Sequence, residues 1–246
     1  MGFEKAVMVR NSTACAMEWS IELEKALRSK NPGRRIEAIY QIGLRLEQWS
    51  GEPEGTMVVY DMFGLVPGED RLFANTIFLR LADAFHLGNK RTRVTIVRIF
   101  LSLLKHCRKK RKNKQMNGVL SKSRVQNHLE LLKRIKAVFD SGDVESRALA
   151  LVLFGCWADF AKDSAQIRYL VLSSLVSSNV LEVRASLFAT GCFSELADDF
   201  SSVVLEMVVN IVTSSETESV VRLAAVRAFA KMGCTFSNAN RAFKVS

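Results

Sequence analysis

The sequence predicts an all-α protein, a solenoid of stacked antiparallel helix pairs. Three observations carry this reading. Punctuation is sparse: 246 residues hold only 3 Pro and 13 Gly, whereas an all-β chain of this length needs many more turns. Apolar residues make up 48% of the chain, enough to bury an extended core. They recur at helical spacing, and the helical segments repeat one design.

The clearest copy is "SGDVESRALALVLFGCWADFAKD" (141–163). Ser141-Gly142 make a turn, and Asp143 is placed to cap the helix that follows, its carboxylate accepting a free backbone N–H. Asp143 and Arg147 stand four apart, the spacing of a helical ion pair. Val144, Ala148, Leu151, Val152 and Gly155 follow at helical intervals, flanked by Leu149, Leu153 and Cys156. So broad an apolar face suits a helix packed between neighbours. "SNVLEVRASLFATGCFSELADDF" (178–200) repeats the pattern. There Asn179 and Glu182 have capping-box spacing, and Arg184 opens the helix. In "SETESVVRLAAVRAFAKMGC" (215–234), Ser215 and Glu218 fit a capping box and Glu218–Arg222 an ion pair. Upstream, Asn31 is the cap and Pro32 the first helical residue of 31–49, where a missing N–H costs nothing. Gly88-Asn89 turn into the helix of 87–106. Partner helices are expected at Ala14–Ser29, Arg71–Phe85, Arg124–Phe139, Ala165–Val176 and Ser201–Val212.

Aligning Arg35, Arg93, Arg147, Arg184 and Arg222 sets the repeat register. The later intervals are close to the period of about 40–47 residues of HEAT and armadillo repeats, and the earlier ones leave room for insertions. Small residues recur seven or eight positions after the arginine, at Gly43, Gly155, Gly191 and Ala230. The chain divides into a tail (1–12), a first repeat block (13–107), a basic linker (108–123) and a second block (124–246) of the same solenoid.

Chemistry-bearing residues are few. Cys15, Cys107, Cys156, Cys192 and Cys234 include no C-x-x-C pair, and the three histidines form no metal-binding spacing. The echo of "GCWADF" and "GCFSELADDF" is read as small residues on packed helix faces, with Cys156 and Cys192 as buried thiols. Gly233 is read as a helix stop. A zinc site would need Cys156, Cys192 and Cys234 to converge with a fourth ligand. Asp198-Asp199 read as solvated or capping acids, and His86 as lying near a helix end. Trp19, Trp49 and Trp157 read as core. No phosphate loop or nucleophile elbow is present, so neither catalytic nor cofactor-binding residues are assigned. Neither a membrane nor a small-molecule substrate is expected. The longest near-continuous apolar stretch, Ala148–Ala158, is too short to span a bilayer. The opening "MGFEKAVMVR" lacks the apolar block of a secretory signal.

The net charge of +10 is concentrated. "KHCRKKRKNK" (105–114) carries Lys105, Arg108, Lys109, Lys110, Arg111, Lys112 and Lys114, and no acid. Three readings stand for it: a solvated loop, a nuclear import signal read by importin, or a contact with nucleic-acid phosphates.

Stretches 78–100, 147–161 and 183–204 resemble the N-terminal repeats of the Integrator complex subunit 7 family, and 14–30 resembles its plant form. The resemblance implies an α-solenoid scaffold in a nuclear assembly that acts on RNA polymerase II transcripts, including the 3′ ends of small nuclear RNAs. It implies other Integrator subunits as partners, with the nuclease and phosphatase activities in those subunits. Family members are much longer, so the chain is expected to be an N-terminal portion, with 108–119 as a variable insertion.

Overall fold

The computed structural model describes residues 16–50, 69–111 and 119–232, and among these every regular element is a helix. The elements are α1 (16–27), α2 (Pro32–Trp49), α3 (Glu69–Leu87), α4 (Lys90–Arg111), α5 (His128–Ser141), α6 (Val144–Cys156), α7 (Ala158–Ala161), α8 (Ala165–Ser174), α9 (Val180–Ser194), α10 (Asp198–Thr213) and α11 (Ser219–Phe229). They form hairpins, each with a leading helix (α1, α3, α5, α8, α10) and a following one (α2, α4, α6, α9, α11). The chain folds as two compact units that divide within α5, between Arg134 and Ile135. Each unit stacks its helix pairs in the manner of a solenoid.

In the first unit α2 lies along α4, and α3 packs on α4. Leu23, Ile39, Leu46, Ile77, Phe78, Phe85, Phe100 and Leu103 are buried between them. Trp19 meets Trp49 edge-on at 6.2 Å, and Phe78 meets Phe100 at 5.3 Å. Such ring pairs add to the area they bury. In the second unit α9 is central, touching α6, α8, α10 and α11. Its buried positions run around the whole helix, from Glu182 to Ser194, as expected for a helix enclosed by neighbours.

The recurring small residues are where following helices meet. A Cβ placed on Gly155 would fall 2.8 Å from a ring carbon of Phe188 and 2.9 Å from the Ala189 backbone, both on α9. One placed on Gly191 would fall 3.1 Å from the Ala228 backbone on α11, and one on Gly43 would fall 2.7 Å from Ile99 on α4. Glycine costs about 1 kcal/mol of helix propensity relative to alanine; here it permits close helix–helix approach. Cys156 and Cys192, next to two of these glycines, are buried. The sequence reading of them as small core residues holds. No group of metal-ligating side chains occurs among the described residues. Cys15, Gly233 and Cys234 lie outside them.

Several local expectations are corrected. α9 opens at Val180, capped by Asn179 through the Leu181 N–H at 2.9 Å. Arg184 therefore lies in its second turn and is exposed. Val183 occupies the fourth helical position held elsewhere by Arg35, Arg93, Arg147 and Arg222. With that shift, Gly43, Leu101, Gly155, Gly191 and Ala230 all fall eight residues after the register position, so the repeat is more regular than the arginine alignment implies. Glu182 does not reach back as a capping-box acid: it accepts hydrogen bonds from Arg147 and from Ser177 Oγ. α11 begins at Ser219, its N-cap Glu218 makes no side-chain cap bond, and the Ser215–Glu218 box does not form. The 141–163 segment breaks at Trp157 into α6 and α7. α5 starts at His128, after turns that bury Val125. The caps at Asn31 and Asp143 form as read, accepting from Gly33 and Ser146 N–H at 2.8 Å each, and Asn89, read only as part of a turn, caps α4 through the Thr92 N–H at 3.0 Å.

The glycine contacts set up a contrast. Gly155→Ala will destabilise the chain by about 1–2 kcal/mol, because the new methyl meets fixed backbone on α9. Gly191→Ala will cost less, since the atoms it meets stand at 3.0 and 3.1 Å and the nearer belongs to the flexible stem of Lys231. Urea unfolding of the two variants checks the difference. Cys156 and Cys192 will resist a pulse of iodoacetamide in the native chain and become reactive in Gly155→Val, as read by peptide mass mapping.

Candidate interaction surface

Most arginines at the helix interfaces are committed to the architecture. Those at the fourth position of the following helices reach back to the connection behind them. Arg35 donates to Ser29 O at 3.2 Å, and Arg93 to Phe85 O at 3.0 Å and His86 O at 3.1 Å. Arg147 donates to Gly142 O at 3.2 Å, and Arg222 to Ser214 O at 2.8 Å and Thr217 O at 3.1 Å. Carbonyls at or just beyond the ends of α1, α3, α5 and α10 thus gain a cationic donor. His86 lies in the last turn of α3, as read. The expected Glu218–Arg222 ion pair does not form among the described residues, because that guanidinium takes carbonyls instead. Arg147 takes Glu182 as well as its carbonyl.

Leading helices are tied by a second set. Arg80 on α3 bonds Ser20 and Glu24 on α1, and Arg134 bonds Asp83 on α3. Arg168 on α8 bonds Asp199 on α10. That guanidinium, through its hydrogen bond, holds the Asp199 carboxyl below its ordinary value. The bridge therefore stabilises the fold above the unfolded carboxyl's pKa and is lost as pH falls through the lower folded value. Asp199 is thus an ion-pair partner, while Asp198 stands at the first position of α10. Arg45 bonds Glu22 and lies 5.5 Å above the Trp19 ring, where α1 and α2 flank a cleft of roughly 530 Å³. Trp49 and Trp157 are buried and Trp19 is partly buried, as read from sequence.

Against this background α4 stands out. Its sequence holds nine Lys and Arg residues and no acid. The helix runs on to Arg111, so Lys105, Arg108 and Lys109 of the basic run, and the backbone of Lys110 and Arg111, are helical. Lys112 and Lys114 lie outside the described residues. Lys105 and Lys109 are exposed, and Arg108 is half-buried. Reading the run as a linear cluster missed two members of the same face, Arg91 and Arg98, both exposed. Residues 91, 98, 105 and 109 are spaced by seven, seven and four, which keeps them within about 40° on a helix of 3.6 residues per turn. That spacing was available in the sequence once α4 was taken as one unbroken helix.

Apolar side chains are also exposed in patches. Val220, Leu223 and Val226 on α11 are each close to half exposed. They repeat every three residues along one side of that helix. No helix of the described residues is long and apolar enough to cross a membrane.

Comparison with known proteins gives this arrangement its relatives. The family model for the Integrator complex subunit 7 N-terminal region matches residues 71–246. Integrator complex subunit 7 of Homo sapiens is 28% identical over 169 residues, and those of Gallus gallus and Danio rerio are 27% identical over the same length. In each, the matched stretch covers 69% of this chain and 14% of the relative. The chain thus spans a small fraction of the length of the curated relatives it matches. With a family match over most of its residues, the chain belongs to the Integrator complex subunit 7 family, within that family's N-terminal region.

Proposed function

We propose that this chain is a non-catalytic docking scaffold for other Integrator subunits, in the nuclear assembly that forms small nuclear RNA 3′ ends and controls RNA polymerase II transcripts. The observation that carries this reading is the family match, joined to the use of polar groups described above. Within each unit, arginines bond backbone carbonyls and carboxylates between helices, which ties the stacked helices of that unit to one another. Such stacks present extended surfaces to partner proteins.

The α11 face is the part of the surface best suited to docking. Leu223 is 51% exposed and Val226 45%, and covering their apolar area is favourable. Nuclear entry through importin belongs to the same reading, with the 105–114 cluster as its signal.

Two measurements test this. Affinity capture of the tagged chain from nuclear extract will recover Integrator subunits, and the double variant Leu223→Asp, Val226→Asp will recover fewer while keeping its helical circular dichroism. Capture of none by the unaltered chain and by its full-length relative would remove the assignment. A fluorescent fusion will concentrate in the nucleus, and replacing Lys109, Lys110, Arg111 and Lys112 with Ala will spread it into the cytoplasm.

A further inference from the structure

We infer that the outward face of α4 is a binding site for single-stranded nucleic acid, with Arg91, Arg98, Lys105 and Lys109 following the phosphate backbone and Tyr40 of α2 offering a ring for a base. The inference stands apart from the docking role and rests on the first unit alone.

The first argument is charge that the fold does not use. Arg35, Arg45, Arg80, Arg93, Arg134, Arg147, Arg168 and Arg222 each bond carbonyls or carboxylates within the chain. The side chains of Arg91, Arg98, Lys105 and Lys109 make no hydrogen bond or ion pair with the described residues, and all four are exposed. Like charges aligned on one face repel one another, and α4 carries no acid to relieve them. A polyanion would relieve that repulsion, and counterion release would favour its binding.

The second argument is shape. From Arg91 to Lys109 the stripe rises about 27 Å along the helix, at 1.5 Å per residue. It is one side chain wide, which fits a single backbone better than a duplex presenting two.

The third argument is the neighbouring helix. Gly43 marks the edge of α2 that meets Ile99 of α4. Tyr40, three residues earlier, lies within about 60° of that edge and is 53% exposed. Leu44 beside it is 40% exposed. An exposed aromatic flanking a cationic track is the combination used to hold unpaired strands. Of the acids on α2, Glu37 accepts a hydrogen bond from Gln41 at 2.7 Å, and Glu47 is half-buried.

The test is fluorescence anisotropy of a labelled RNA of about 20 uridines against the full chain, over a range of salt concentrations. Changing Arg91, Arg98, Lys105 and Lys109 together to Ala will flatten the log–log salt slope by about 3, at roughly 0.7 per phosphate contact. Changing Lys30, Arg34, Arg184 and Arg227 to Ala lowers the net charge equally and will leave the slope nearly unchanged. Tyr40→Ala will weaken binding about 5- to 150-fold with the slope intact. Equal losses in the two quadruple variants, or no binding by the unaltered chain at low salt, would overturn the proposal. So would tighter binding of a DNA duplex of the same length than of the RNA, or displacement of the RNA by polyglutamate at equal charge. All substituted side chains are exposed, and circular dichroism confirms that the variants fold.

Discussion

The fold depends on how closely one following helix can approach the next. At the twelfth position of α2, α6 and α9 that approach leaves little or no room for a β-carbon, and the residue is glycine in all three. The neighbours met there are Ile99, Ala189 and Ala228, each on the next following helix of the same unit. Close approach brings the flanking side chains into mutual burial: Phe154, Leu187 and Phe193 are fully enclosed. A helix such as α9, buried on every side, is stable only because α6, α8, α10 and α11 surround it. Most of its stability therefore comes from packing and little from intrinsic propensity.

Polar groups follow from that constraint. Carbonyls at helix ends have no partner within the helix, and a side-chain donor satisfies them. Arginine at the fourth helical position supplies that donor in α2, α4, α6 and α11, because its long stem spans the short connection and its planar head offers several N–H groups. α9 departs from the rule. Val183 stands in the arginine's place, and Glu182 accepts from Ser177 in the connection behind while taking Arg147 from α6. One side chain there closes the connection and joins two following helices. Because Glu182 is almost fully buried, its charge is held by those partners; losing Arg147 would leave it unpaired in a poorly solvated site.

Much of this was legible in the sequence, and the exceptions have physical causes. Helix existence and pairing followed from apolar spacing and from Asn31 and Asp143, whose caps are local interactions between near neighbours in the chain. Burial of Cys156 and Cys192 followed from the breadth of the apolar face. What failed depended on tertiary partners. Glu182 has the spacing of a capping-box acid, and only the approach of Arg147 from another hairpin redirects it. The register slipped at Arg184 because arginine identity was aligned where position in the helix mattered; α9 carries its arginine one residue late, on the exposed side. Ser186, Thr190 and Ser194 line a buried polar strip on α9. Ser186 is satisfied by donating to the Val171 carbonyl, a partner on the preceding helix that no local rule identifies.

The division between committed and spare charge is where architecture gives way to function. A helical stack needs cations where carbonyls end and where leading helices touch, and this chain places arginines there. The same constraint gives no reason for four cations in line on the outward side of α4, where no carbonyl or carboxylate of the described residues meets them. Keeping that line has a cost in mutual repulsion, small for each pair in water but repeated along the helix. A solvated surface would interleave acids among them, as α5 does when Lys136 bonds Asp140 and Arg134 bonds Glu130. α4 lacks that interleaving over its whole length. Among the described residues no acid completes it; a phosphate backbone would supply the missing charge at the regular spacing that a straight helix can follow.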